Sequence, residues 1–312
     1  MATTTENAAA STQRYFGRAM KRVEDPRLIK GIATYVDDLK LPGVLHAEFV
    51  RSPHAHANIL SINTGAAKEL PGVVGVFTGA DLNDKVAAIP CASPLPGGKT
   101  VSHTVLAGAR AYFVGHPVAV VVAETRAIAR DALDLVEVDY EPLPAVIDPE
   151  KALEEGSPLT HPGLGTNVAF TWNLHSGDAE AAFKEADKTL KIRMVHPRLT
   201  PMALEPRGCA ASWHPGESAL TLWTSTQIPH LVRTLLPGMI HIPENKLRVV
   251  APEVGGGFGS KLNLYPEEAV VSHLAIRINR PIKWIESRRE NASSTIHGRD
   301  QVTDHEIAVR KD

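Results

Sequence analysis

Val249-Val250-Ala251-Pro252-Glu253-Val254-Gly255-Gly256-Gly257-Phe258-Gly259-Ser260-Lys261 is the stretch that decides how the chain reads. Four of the five residues from Gly255 to Gly259 are glycine. Inside a helix or strand each would cost roughly 0.5–1 kcal/mol relative to alanine. The run therefore marks a sharp turn, or a backbone that something must approach closely. Apolar Leu247–Val250 predicts a strand leading in. Residues 267–278 predict a helix leading out, with Pro266 suited to its first turn. Strand, glycine loop and helix form the usual layout for holding a phosphate or an oxyanion on backbone N–H groups.

Taken alone, the loop supports several readings. A phosphate loop of the form G-x-x-x-x-G-K-[ST] is disfavoured, because Ser260 stands at the second glycine and Leu262 at the hydroxyl position. A dinucleotide fingerprint G-x-G-x-x-G is nearly met by Gly255, Gly257 and Ser260. Glu286 then ends a predicted strand, Ile282–Ile285, where such folds place a ribose-binding acid. The third reading is a plain structural turn.

Working outward, 312 residues are enough for about two domains. A formal net charge of −2 gives no basic field for nucleic acid or an anionic membrane. No apolar run approaches the ~20 residues a membrane span needs. Residues 1–13, rich in Ala, Thr, Ser and Asn, predict a disordered tail with neither a secretory core nor twin arginines. Cys91 and Cys209 are the only cysteines, so the chain forms at most one disulfide and holds no iron–sulfur cluster. A reducing, cytoplasmic location is the default expectation.

Residues 14–147 predict a compact α/β domain. Its strands are expected at 44–50, 58–62, 73–77, 118–123 and 135–140, with 31–36 as a short extended piece. Helices are expected at 64–70 and 124–134, and a Pro/Gly/Ser-rich surface loop at 90–100. Proline and glycine without periodicity mark a linker at 148–167. A second domain follows from 168. It has predicted helices at 179–186 and 228–236, and strands at 189–195, 209–213 and 219–224. Residues 302–309 predict a strand with no following partner, an unfinished hairpin. That ending suggests a piece of a longer protein, or one half of a split one.

Seven stretches in order carry a family resemblance. They are Gly31-Ile32-Ala33-Thr34-Tyr35-Val36-Asp37-Asp38, Arg51-Ser52-Pro53-His54-Ala55-His56-Ala57, Val114-Gly115-His116-Pro117-Val118-Ala119, Leu204-Glu205-Pro206-Arg207-Gly208, Thr224-Ser225-Thr226-Gln227-Ile228-Pro229-His230, Gly255-Gly256-Gly257-Phe258-Gly259-Ser260-Lys261, and Trp284-Ile285-Glu286-Ser287-Arg288-Arg289-Glu290-Asn291. Together they resemble the N-terminal part of the large, molybdopterin-binding subunit of the xanthine dehydrogenase family of molybdenum hydroxylases, and within it the aerobic carbon monoxide dehydrogenase branch.

The resemblance implies an α+β fold. An α/β hammerhead domain over 14–147 would precede the first part of a molybdenum cofactor-binding domain over 168–312. It implies a molybdopterin cytosine dinucleotide cofactor carrying molybdenum. An iron–sulfur small subunit, an FAD-binding medium subunit and a second large subunit are the implied partners. Gly256, Gly257, Phe258 and Gly259 would lie against the cofactor, with Phe258 walling the substrate's approach; the alternative for Phe258 is a core aromatic. Gln227 would donate a hydrogen bond to an oxygen ligand of the molybdenum, or else be a turn residue before Pro229.

No residue of this chain is expected to ligate a metal. The general base of the family is a glutamate beyond position 312, so none is assigned. Leu262 stands where the purine-oxidising branch carries a substrate-binding glutamate, which argues against xanthine. The expected activity is oxidation or hydroxylation of a small substrate, whether carbon monoxide, an aldehyde or an N-heterocycle, with water-derived oxygen.

Other residues carry two readings each. Glu205 and Arg207 are expected either as a buried ion pair or as support for the active site. Lys261 is expected to meet a pterin phosphate or to cap the loop. His54 and His56 form an H-x-H that on a strand would point both rings one way, though no third metal ligand is evident. The rival functions are a nicotinamide-dependent dehydrogenase using the 255–260 loop, and a non-catalytic assembly domain.

Overall fold

The protein is described by a computed structural model covering residues 16, 17, 19–91 and 94–311. The expected tail at 1–13 lies outside the described residues. The chain divides into compact units at 1–34 and 35–312. In the first, the described part holds one short helix, α1 (Asp25–Ile29), with Pro26 in its opening turn.

The second unit runs β1 (Leu45–Arg51), β2 (Ala57–Asn63), α2 (Gly65–Glu69), β3 (Val73–Thr78), α3 (Gly79–Leu82), β4 (Arg110–Ala111), β5 (Pro117–Ala123), α4 (Arg126–Leu133) and β6 (Glu137–Pro142). It continues with α5 (Ala179–Lys184), β7 (Lys188–His196), β8 (Gly208–His214), β9 (Ala219–Thr224), α6 (Pro229–Ile240), β10 (Leu247–Val250), α7 (Pro266–Ile278), β11 (Ile282–Ile285), α8 (Arg288–Ser294) and β12 (Gln301–Val309). Most expected elements are present within a few residues. Residues 31–36 form no strand, because turns at both ends break the extended run. Helix α6 continues four residues past the expected end, through Pro237, to a left-handed cap at His241.

A seven-stranded sheet in the order β10-β9-β8-β11-β1-β5-β3 forms the centre. Strands from both sides of residues 148–167 meet in it. The join is parallel, with Leu45 opposite Ile282 and His46 opposite Lys283. The main core is shared in the same way. Leu45, Phe49 and Val120 pack in one cluster with Leu222, Leu274 and Trp284. The wholly apolar run of β5 is buried at every position, as its composition predicts for a central strand. A three-stranded sheet, β4-β2-β6, stands beside it.

The last strand is not unpaired. β12 runs antiparallel to β7 over nine residue pairs, from Gln301 opposite His196 to Val309 opposite Lys188. Its partner lies more than a hundred residues upstream, which the local pattern did not reveal. Directly opposed residues share a face of such a ribbon. One face carries the ion pairs Lys191–Glu306 and Arg193–Asp304. The other carries Leu190, Ile192, Met194 and Ile307, all exposed.

Candidate functional site

Strand β10 delivers the chain to the glycine loop at the edge of the large sheet, and α7 carries it away. Inside the loop Gly256, Phe258 and Gly259 take left-handed backbone, with φ of 98°, 51° and 93°. For phenylalanine this conformation is unfavourable by roughly 1–2 kcal/mol. The Ser260 N–H donates to Gly257 O at 2.9 Å and closes the turn. Phe258 stands at the tip with 75 % of its surface exposed, so the core-aromatic reading fails.

Gln227 sits directly against the loop. Its Oε1 accepts the Gly259 N–H at 3.0 Å, and its own N–H donates to Lys261 O at 2.9 Å. A backbone N–H can only donate, so this contact fixes the oxygen towards the loop and turns the amide nitrogen away from it. That nitrogen has no hydrogen-bond partner among the described residues. The N–H groups of Gly256, Gly257 and Phe258 likewise donate to no protein group among the described residues.

Glycine at 257 has a close neighbour within the chain itself. A Cβ there would lie 2.5 Å from Gln227 Oε1 and 2.6 Å from its Cδ, so the residue is small to admit Gln227. At Gly259 a Cβ would meet nothing within 4 Å, and only its left-handed backbone calls for glycine.

Beneath the loop the expected pairings are rearranged. Glu205 and Arg207 do not pair with each other. Lys261, 1 % exposed, pairs with Glu205 at 2.7 Å, so its ammonium is already used and does not reach out for a phosphate. Arg207 is buried between Glu286 at 2.5 Å and Glu267 at 3.1 Å, with its guanidinium 3.8 Å from the Tyr265 ring centroid. Arg51, from β1, reaches the other Glu267 oxygen at 2.7 Å and Glu290 at 2.8 Å.

Burial alone would raise the Glu267 carboxyl, but Arg207 and then Arg51 outweigh it and hold it at about 2. Glu268, next in sequence, is pushed the other way by burial, against hydrogen bonds from Thr224 and the Tyr265 N–H. This cluster ties β1, β8, β11, α7 and α8 together. The sequence signal for it was present but unused: two adjacent glutamates open a helix whose next residues, Ala269, Val270 and Val271, are apolar and buried.

His54 and His56 lie in the turn between β1 and β2, not on a strand. His56 contacts Pro144 O through Nδ1 at 3.0 Å, and His54 packs edge-on against Tyr140. No group of three or more metal-binding side chains is present among the described residues. A cleft of about 700 Å³, lined by Arg51, His56, His103, Tyr112, Tyr265 and Ser294 among others, lies apart from Gln227 and the loop. A pocket beside Lys261 and Thr226 measures about 10 Å³, too small for a cofactor. The loop is thus an open wall.

The dinucleotide reading fails on Glu286. Its carboxylate is fully buried and bound by Arg207, Asn291 and the Arg207 N–H, so it cannot meet a ribose. The strand after the loop helix also pairs antiparallel with β8, unlike a doubly wound parallel sheet.

Comparison with known proteins decides the family. Residues 30–144 match the aldehyde oxidase and xanthine dehydrogenase a/b hammerhead domain, and residues 160–312 match the molybdopterin cofactor-binding domain. The chain belongs to the molybdenum hydroxylase large-subunit family. It is 41 % identical over 311 residues to the carbon monoxide dehydrogenase large chain of Afipia carboxidovorans, covering 95 % of this chain and 38 % of that protein. It is 38 % identical to the nicotine 6-hydroxylase large subunit of Paenarthrobacter nicotinovorans, covering 96 % of this chain and 36 % of that one.

Among solved structures, quinoline 2-oxidoreductase from Pseudomonas putida 86 superposes with a TM-score of 0.89 at 38 % identity, over 93 % of this chain and 37 % of that one. The chain therefore spans a little over a third of the length of these relatives.

Proposed function

We propose that this chain supplies the hammerhead portion and the glycine-loop wall of a molybdenum hydroxylase large subunit. The single observation that carries the proposal is the donor set at the loop: the outward amide nitrogen of Gln227 beside three unengaged backbone N–H groups. These are neutral donors. Such a set suits an oxygen-rich, anionic group, because it polarises bound oxygen without giving up a proton. Gln227, Gly256, Gly257, Phe258 and Gly259 would hold the molybdenum cofactor there, in the cytosine dinucleotide form.

When bound, that cofactor supplies the two-electron acceptor and the activated oxygen for oxidation or hydroxylation. The residues of this chain hold and shade it. Each N–H given to a charged oxygen contributes about 1.5–3 kcal/mol. Phe258, exposed and apolar at the loop tip, restricts and dries the substrate's approach. The substrate class is a small molecule: carbon monoxide, an aldehyde or an N-heterocycle. The role of base is assigned outside these 312 residues.

Electrons would leave through an iron–sulfur subunit and an FAD subunit, in a cytoplasmic assembly with two large subunits. The uncovered apolar face of the β7–β12 ribbon supports a place inside a larger assembly, since such faces are normally covered. No described helix is long and apolar enough to cross a membrane. The division into modules at 14–147 and 168–312, with 148–167 between, belongs to the same proposal.

The deciding experiment is metal analysis of the native assembly containing this chain. About one molybdenum per chain is expected. Its absence from an intact, cofactor-competent preparation overturns the reading. Copper in the same measurement would point to carbon monoxide as substrate, because a solved relative 40 % identical to this chain is a Cu,Mo-CO dehydrogenase.

A further inference from the structure

Both ends of the glycine loop are tied to one carboxylate. Glu205 Oε2 accepts the Gly255 N–H at 2.7 Å and the Lys261 ammonium at 2.7 Å. The Glu205 N–H in turn donates to Gly255 O at 3.3 Å. A Cβ at Gly255 would lie 2.5 Å from the Glu205 Cβ, so glycine is what lets the two segments meet. The segment bearing Glu205 is itself anchored from α8. Arg288 donates to Ala203 O at 2.6 Å and to Leu204 O at 2.7 Å.

From Lys261 the chain of contacts runs on to Gln227. The Lys261 carbonyl accepts the Gln227 N–H at 2.9 Å and the Thr226 hydroxyl at 3.3 Å. The Gly259 N–H then holds the Gln227 side chain. Helix α8 is thereby connected through residues 203–205 to both feet of the arch and to the Gln227 side chain held against it. Burial lowers the Lys261 pKa while Glu205 opposes the change. An ammonium removed from water is tolerated only against such a partner. A glycine-rich arch has many conformations to lose, so its shape must be imposed by contacts outside it.

We propose that Glu205 and Lys261 are positioning residues, a clamp that sets the glycine loop and the Gln227 amide in their working geometry before any cofactor arrives. The catalytic arm of this proposal rests on the molybdenum reading above; the structural arm does not. Pre-organisation of this kind is what keeps donors within the small tolerance that catalysis needs.

The test uses Glu205→Gln and Lys261→Met, each made in this chain and in the full assembly. Hydrogen exchange followed by mass spectrometry is read on the chain without cofactor. The hydrogen-bonded loop amides, those of Gly255, Gly259, Ser260 and Leu262, are expected to exchange at least tenfold faster in each variant, with α7 and β5 exchanging as in the wild type. Unchanged loop exchange overturns the clamp. Equal acceleration in α7 and β5 also overturns it, since that is general loosening.

In the assembly, turnover per bound molybdenum is expected to fall about tenfold with KM within twofold of wild type. A structural role alone would lower occupancy but leave turnover per molybdenum unchanged, and that result overturns the positioning role. A wild-type assembly without molybdenum sinks the cofactor reading and leaves the clamp to be decided by exchange alone.

Discussion

Gly257 and Gln227 occupy one space, and that makes their roles separable by mutation. A methyl group at 257 lands on the Gln227 side chain, so Gly257→Ala pushes that exposed side chain off the Gly259 N–H at a cost of about 0.5–1.5 kcal/mol. Gln227→Ala, at an exposed position, should cost little by itself and should relieve the clash. Denaturant unfolding of the two single variants and the double is expected to give a double variant more stable than Gly257→Ala. Strict additivity would contradict the contact.

Phe258 gives the complementary case. Its left-handed backbone is unfavourable and its ring is mostly exposed, so Phe258→Gly removes strain at the expense of a looser unfolded chain. Stability is expected within about 1 kcal/mol of wild type, since the two effects are of similar size. A larger loss, measured by thermal unfolding, would mean the ring is packing after all. The residue types at this site were legible from the motif, but their partners were not. Glu205 and Arg207 are neighbours in sequence, yet one faces Lys261 and the other Glu286, which only the folded chain brings within reach.

At the level of elements, α7 shows what binds the site to the scaffold. Its helical period and its proline start were readable, while the reason for Glu267 was hidden in Arg51 at the end of β1 and Arg207 just before β8. The pair-wise cost follows from that arrangement. Glu267→Gln leaves two buried guanidinium groups short of charge and should destabilise the chain by about 3–5 kcal/mol at neutral pH.

The sign of the pH dependence is fixed by the lowered carboxyl. Its stabilisation is fully present above the usual 4.5 and is lost as pH falls through about 2. The stability gap between wild type and Glu267→Gln is therefore expected to shrink across that window. Glu268, raised by burial, acts in the opposite sense but is present in both proteins. Urea unfolding at pH 7, 4 and 2 measures the gap, and a gap independent of pH would refute the assignment.

On the scale of the whole molecule, local pattern located nearly every strand but suggested that those before 148 form a sheet of their own. Hydrophobic period fixes which face of a strand is buried and says nothing about which strand lies beside it. Here β1 finds β11 across more than two hundred residues, and the hammerhead strands β1, β5 and β3 complete a sheet begun by β10, β9, β8 and β11. Sequence modules and folding units then need not coincide.

Gly156, on an exposed turn of the 148–167 segment with φ of 80°, is a place to separate the two questions. A chain broken after Gly156 and produced as two co-expressed pieces should assemble, because the sheet and the shared core of Phe49, Val120, Leu274 and Trp284 hold the halves together. Each piece alone exposes a sheet edge and half a core, and should be unfolded or aggregated. Co-purification with native-like circular dichroism is the expected result. Cooperative unfolding by either piece alone would show that the modules are independent domains and that the continuous sheet is only an interface between them.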